Sequence, residues 1–137
     1  MPLSQKKIRS RLIKKADKLM SLYIRLSVGS CEHCGTKENL QDSHIITRAK
    51  YPVRWIRANH QCLCYRCHLH WFHKGSDPVE VAYWIIEKIG IDTYVKLKIV
   101  SEYGPVPDTE DIKKIISELE NKIQCLEKKT RKQKSKK

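Results

Sequence analysis

The sequence predicts an α+β protein, mainly helical, in which a zinc-stapled ββα segment lies between a basic N-terminal helix and a helical C-terminal region. Three observations predict it. Two Cys-x-x-Cys pairs, Cys31/Cys34 and Cys64/Cys67, bracket a segment with strand-like alternation. Apolar residues recur at helical spacing before the first pair and after the second. The Gly75-Ser-Asp-Pro break and the Gly104-Pro-Val-Pro break punctuate the chain beyond the second pair. The boundaries are 1–28 for the N-terminal helix, 29–76 for the stapled core, 77–127 for the helical region and 128–137 for a disordered basic tail.

The first element runs from Ser4, which can cap it, to the Val28-Gly29-Ser30 stop. Ile8, Leu12, Leu19, Leu22, Tyr23 and Leu26 fall near a 3.6 period, and Lys6, Lys7, Arg11, Lys14, Lys15, Lys18 and Arg25 line the other face. Such a helix can pack on a core and present a cationic stripe to phosphates. Binding to a membrane surface is the rival reading, weakened by the lack of a bulky anchor on the apolar face.

The two cysteine pairs can supply four thiolates to one tetrahedral Zn²⁺. Such a site is structural, because no coordination position stays open. The segment it staples is too short to fold on burial alone, so metal binding should supply on the order of 10 kcal/mol of its folding free energy. Cys62 and Cys125 have no evident partners, which fits a reducing compartment. The first residues form no signal core and no apolar run approaches the ~20 residues that span a bilayer. A soluble, intracellular and cytoplasmic protein without membrane contact is expected.

Between the cysteine pairs, residues 39–46 alternate enough for a short strand with Leu40, Asp42 and His44 on one face. A loop over about Thr47 to Arg57 leads to Asn59, and a short helix should start near His68. On an α-helix His68 would share a face with Phe72, and His70 with His73 or Lys74. Pro78 to Ile89 and Ile91 to Tyr103 read as two helices parted by Gly90, and a third begins at Asp108. Its Ile112, Ile115, Ile116, Leu119, Ile123 and Leu126 form nearly a heptad seam, which can pack on its own domain or pair two copies.

The formal net charge is +13. Residues 1–28 carry eight Lys/Arg against Asp17 alone, and 128–137 carry seven with no acid. Residues 29–75 carry seven against three acids, whereas 76–127 carry six against eleven. Positive charge therefore surrounds the stapled core and extends into both ends, as binding to a polyanion requires. For 128–137 alone, a solvated lysine tail is an equally good reading.

His44 after the first knuckle, Asn59 five residues before the second and His68 directly after it complete a pattern that resembles the HNH, or ββα-metal, nucleases over residues 31 to about 73. Arg54-Trp55 before the asparagine, Gln61-Cys62 before the second knuckle, the Ile-Gly element and the final long helix resemble more narrowly the phage NinG (Rap) recombination nucleases, over about residues 10–126. The resemblance implies a metal-dependent DNA endonuclease, acting on branched or Holliday junction DNA in recombination within a host cytoplasm. It implies His44 as general base, Asn59 as the residue holding the loop that orients it, and His68 as a ligand of a catalytic Mg²⁺ or Mn²⁺. Asp42, His70 or His73 would complete that ion's site, although Ser43 stands where many such enzymes have an acidic ligand, and His70 and His73 could merely face phosphates. Arg48, Arg54 and Arg57, with Lys14, Lys15 and Lys18, are the expected DNA contacts. The seam from 108 to 127 is the expected homodimer contact. His33 should be exposed, and His60 has no assigned task.

Each of these residues has a plainer reading. A lone strand histidine is more often packed or superficial than basic in function, and it is the family spacing of His44, Asn59 and His68 that favours catalysis. The competing class is a non-catalytic zinc module that binds nucleic acid as an accessory protein, which would leave those three positions as coincidences. A nicking HNH enzyme without structure preference is the third possibility.

Overall fold

The computed structural model describes residues 2–75 and 77–136. Met1, Ser76 at the expected 76/77 boundary and Lys137 at the end of the tail lie outside them. The elements are α1 (Pro2–Val28), β1 (Leu40–His44), β2 (His60–Cys64), a helical segment over Cys67–His73, α2 (Pro78–Ile89), α3 (Ile91–Tyr103) and α4 (Thr109–Ser135). Two short 3-10 turns, Tyr51–Val53 and Arg57–Asn59, punctuate the loop between the strands. The chain is thus mostly helical around one small antiparallel sheet. No helix among the described residues is long and apolar enough to cross a membrane.

α1 begins at Pro2, so Ser4 lies inside the helix and does not cap it. Its buried stripe is Ala16, Met20 and Ile24, whereas Ile8 and Leu26 are exposed. The stripe packs on Ile112, Ile116 and Leu119 of α4, with Trp55 and Cys62 completing the cluster. The α4 seam is therefore filled by the chain's own first helix. Its N-terminus is fixed by a capping box, in which Asp108 accepts from the Asp111 N–H and the Asp111 carboxylate accepts from the Asp108 N–H.

The expected disordered tail is a correction, because residues 128–135 continue α4. Lys, Arg and Gln are good helix formers, and no Gly or Pro interrupts them. α1 and α4 run in the same sense: Arg9 donates to the Pro107 carbonyl, Lys15 pairs with Glu120 at 3.5 Å, and Lys122 lies over the Tyr23 ring.

The strands pair antiparallel, with Leu40 opposite Cys64, Asp42 opposite Cys62 and His44 opposite His60. Alternation places these six on one face. The intervening Leu63 belongs to the opposite face and packs with Cys31, Cys64 and Cys67, under Phe72 and Trp84. Leu97 of α3 packs on Ile46 and Val53 of the loop, which keeps that long connection compact.

Candidate metal centres and active site

Each cysteine pair folds back on itself. The Cys34 N–H points at Cys31 Sγ and the Cys67 N–H at Cys64 Sγ, both at 3.4 Å, as two matching knuckles. Gly35, with φ of +83°, supplies the left-handed turn behind the first, where any side chain would be strained. The four sulfurs lie within 4.8 Å of one another, and Cys34 Sγ to Cys64 Sγ is 3.7 Å. A tetrahedral ion with Zn–S of about 2.3 Å needs sulfurs about 3.8 Å apart, so the group could hold a structural zinc. Burial would raise the Cys31 thiol, yet backbone N–H groups of Cys34, Cys64 and His33 outweigh it and bring it down to about 7, which favours a thiolate.

His33 is exposed but not idle. Its Nδ1 lies 3.3 Å from Cys67 Sγ, and its ring stacks on Trp71 at 3.6 Å between centroids. Cys62 is a core residue facing α1, its thiol pushed up to about 11 by burial and Glu32 and outside the four-sulfur group, while its backbone pairs with Glu32 of the first knuckle. Cys125 is exposed.

Asn59 is completely buried and ties the loop to the end of β1. Its Oδ1 accepts from the Ile46 N–H at 2.7 Å, and its Nδ2 donates to the carbonyls of Ile46 and Val53. These bonds satisfy strand-end groups that no third strand pairs, and they fix the backbone just after His44. His44 itself is held below the ordinary imidazole range by burial first and by neighbouring His60 second.

The helical segment after the second knuckle is wound with i→i+5 bonds, the Lys74 N–H donating to the Leu69 carbonyl at 3.0 Å. This corrects the α-helical expectation. One extra residue per turn aligns His73, not Phe72, with His68, and their Nε2 atoms are 2.9 Å apart. His70 is turned away towards Tyr65 and the knuckle side, so it does not join His68. Nδ1 of His68 donates to Gln41 Oε1 at 2.7 Å, so its Nε2 accepts from the Nε2–H of His73 at 2.9 Å. Burial and His73 hold His68 below its usual range, in the neutral form that ligates metals.

An open cavity of about 520 Å³ joins Asp42, His44, Arg48, His68 and His73. The 2.9 Å between the two imidazole nitrogens is a hydrogen-bond distance. His68 and His73 thus line one cavity with His44, with Asp42 at its wall.

Arg54 is a further correction. It is only 8% exposed and grips Asp17 with Nε at 3.0 Å and Nη2 at 2.6 Å, while Nη1 donates to the Arg48 carbonyl. Trp55 Nε1 donates to the same carboxylate at 2.9 Å. Arg54-Trp55 thus clamps the loop to α1, and the guanidinium, which borders the basic cleft, is committed to Asp17. Arg57 is exposed but donates to the His60 carbonyl, and Lys15 is directed at Glu120. Lys18 is exposed.

A larger cleft of about 820 Å³ between α1 and the loop is lined by Lys6, Arg9, Lys14, Thr47 and Arg48. Arg48 borders both this cleft and the His44 cavity. The sequence singled out Arg48 and Lys14, but not Arg9, which the loop's Tyr51 brings into the cleft wall. His60 was also missed. It is 1% exposed, with Nδ1 2.7 Å from Asp42 Oδ1 and Nε2 2.8 Å from the Arg54 carbonyl. Its place opposite His44 in the ladder was the available signal. The chain matches no protein-family model, no curated protein and no solved structure.

Proposed function

We propose that the protein is a metal-dependent DNA endonuclease of the HNH type, hydrolysing phosphodiester bonds in branched or junction DNA. The observation that carries this reading is the single cavity that gathers His44 with the paired Nε2 atoms of His68 and His73 and with Arg48. A zinc module that only binds nucleic acid has no use for such a gathering.

His68 and His73 would hold the catalytic ion with help from Asp42; when bound, it supplies Lewis-acid stabilisation of charge on the phosphate. Two imidazoles suit Mn²⁺ better than Mg²⁺. His44, neutral at pH 7 because its pKa is lowered, takes a proton from the water that attacks phosphorus in line with the departing 3′ oxygen. Products carry a 5′ phosphate and a 3′ hydroxyl, as the resemblance implies. Arg48 binds the phosphate through its guanidinium fork, and Asn59 holds the loop so that His44 keeps its aim.

Plasmid nicking with zinc-loaded protein tests this. Cleavage should require added Mn²⁺ or Mg²⁺, with Mn²⁺ the better, and His44→Ala should lower the rate about 10²- to 10⁴-fold while DNA affinity is kept. Because the base must be unprotonated and its pKa lies below the ordinary imidazole value of about 6.5, the rate should fall with acid only below that pH. Binding without cleavage under every metal condition would return the protein to the accessory class.

A further inference from the structure

Asp42, His44 and His60 form a donor cluster that the proposed hydrolysis does not use as a unit. One ligand atom from each lies within 4.8 Å of the others. A cavity of about 200 Å³ borders all three, together with Asp17, Met20, Ser21, Trp55 and Arg48, so there is room for an ion, and Asp17 offsets the arginine's charge. The register of the ladder creates the cluster: His60 sits opposite His44 and diagonal to Asp42 on one face.

The hydrogen bonds of His60 sharpen the case. The Arg54 carbonyl can only accept, so the Nε2 at 2.8 Å carries a hydrogen. Nδ1 then turns its lone pair on Asp42 Oδ1 at 2.7 Å. The two side chains are only 1% and 7% exposed, so two lone pairs facing each other there need a positive centre between or beside them. That centre is either a second proton or a metal ion. The His44 ring, 4.4 Å from that of His60, adds a third donor aimed at the same place. Two imidazoles and one carboxylate suit first-row transition ions and not Mg²⁺ or Ca²⁺.

We propose that Asp42, His44 and His60 bind a transition-metal ion of the Zn²⁺ type, in a site separate from the four-cysteine group and from the His68/His73 pair. The ion sits beside the His60–Asp42 pair, on the side of the cavity, and the two donor atoms move apart from 2.7 Å to hold it. It also occupies the His44 lone pair, so it inhibits cleavage. Binding stands independently of the endonuclease reading; the inhibitory consequence rests on that reading.

Zinc-loaded, full-length His68→Ala/His73→Ala protein isolates the site, and Co²⁺ is the probe. One further Co²⁺ should bind, giving visible d–d absorption without new thiolate charge-transfer bands, and His60→Gln or Asp42→Asn should weaken it at least tenfold. Long-range ¹H–¹⁵N spectra of the wild type during Zn²⁺ addition give a check that needs no variant, since the His60 Nδ1 resonance should move. No further Co²⁺, binding indifferent to His60→Gln, or an unmoved His60 Nδ1 would each overturn the site and leave a bridging proton only. With the wild type, Mn²⁺-supported nicking should fall over the Zn²⁺ range in which the site fills; nicking that survives filling overturns the inhibitory role. A protein that binds this ion but never cleaves DNA keeps the site and loses the endonuclease reading, whereas cleavage with no such binding does the reverse.

Discussion

Asp17, the one acid in α1, takes hydrogen bonds from both Arg54 and Trp55 and so decides what Arg54 can do. From sequence alone, an arginine in a basic loop before the motif asparagine reads as a phosphate contact. The acid lies 37 positions away in the chain, and nothing local announces the pairing. Replacing Arg54 with Ala would leave the Arg48 carbonyl without its donor and Asp17 with Trp55 alone, at a cost of about 3 kcal/mol. Denaturant unfolding should register that loss. If Arg54 gripped phosphate instead, stability would hold and the salt dependence of DNA binding would flatten. By contrast, a loop-holding Asn59 was expected from the family resemblance alone, and its three hydrogen bonds to Ile46 and Val53 lie where that role needs them. His60 was not legible, because its role depends on cross-strand register.

At the scale of elements, the knuckles and the π-wound turn depend on spacing in different ways. Cys-x-x-Cys spacing dictates its own local geometry, so the four sulfurs were legible without a fold. Loss of one ligand should therefore unfold the staple: Cys64→Ser is expected to lose the zinc and melt residues 30–75, read as a zinc-to-chain ratio below one in native mass spectrometry. Cys125→Ser should keep the metal. Cys62→Ser should also keep it, but with some loss of stability from a hydroxyl placed in the α1 core.

The π winding is less legible. His68, His70 and His73 offer i+2, i+3 and i+5 relations, and an α-helix would align none of them well with His68. Only the widened turn brings His73 to 2.9 Å. Gln41, reaching across from β1, then fixes the His68 tautomer. Gln41→Ala should weaken binding of the ion proposed at His68 and His73 about 10- to 100-fold without touching a zinc held by the four cysteines. His70→Ala should change neither, and Mn²⁺ titration followed by electron paramagnetic resonance distinguishes the two variants. Equal effects of both would mean that His70 is a ligand and that the turn is α-helical in solution.

For the whole molecule, the parallel run of α1 and α4 decides where the charge goes. α1 ends at Val28, whereas α4 continues to Ser135 with Lys128, Lys129, Arg131, Lys132 and Lys134 in its last turns. The other basic cluster, Lys6, Arg9 and Lys14, lies towards the start of α1 beside the Arg48 cleft. Composition revealed two basic ends; only the helix pairing shows that they point to opposite ends of the fold. The same pairing consumes the seam expected to join two copies. Ile116→Asp would place a charge among Met20, Ile24 and Trp55, so it should unfold the chain, not split a dimer. Removal of residues 128–137 should then act on DNA through charge alone. The truncated protein should bind all DNA shapes more weakly, with the slope of log K against log salt reduced by about 0.9 for each phosphate that is no longer neutralised. The ranking of junction, flap and linear duplex should stay as it was, since the cleft and the His44 cavity are untouched. Fluorescence anisotropy across salt concentrations measures both quantities, and a changed ranking at constant slope would show that the helical extension reads DNA shape.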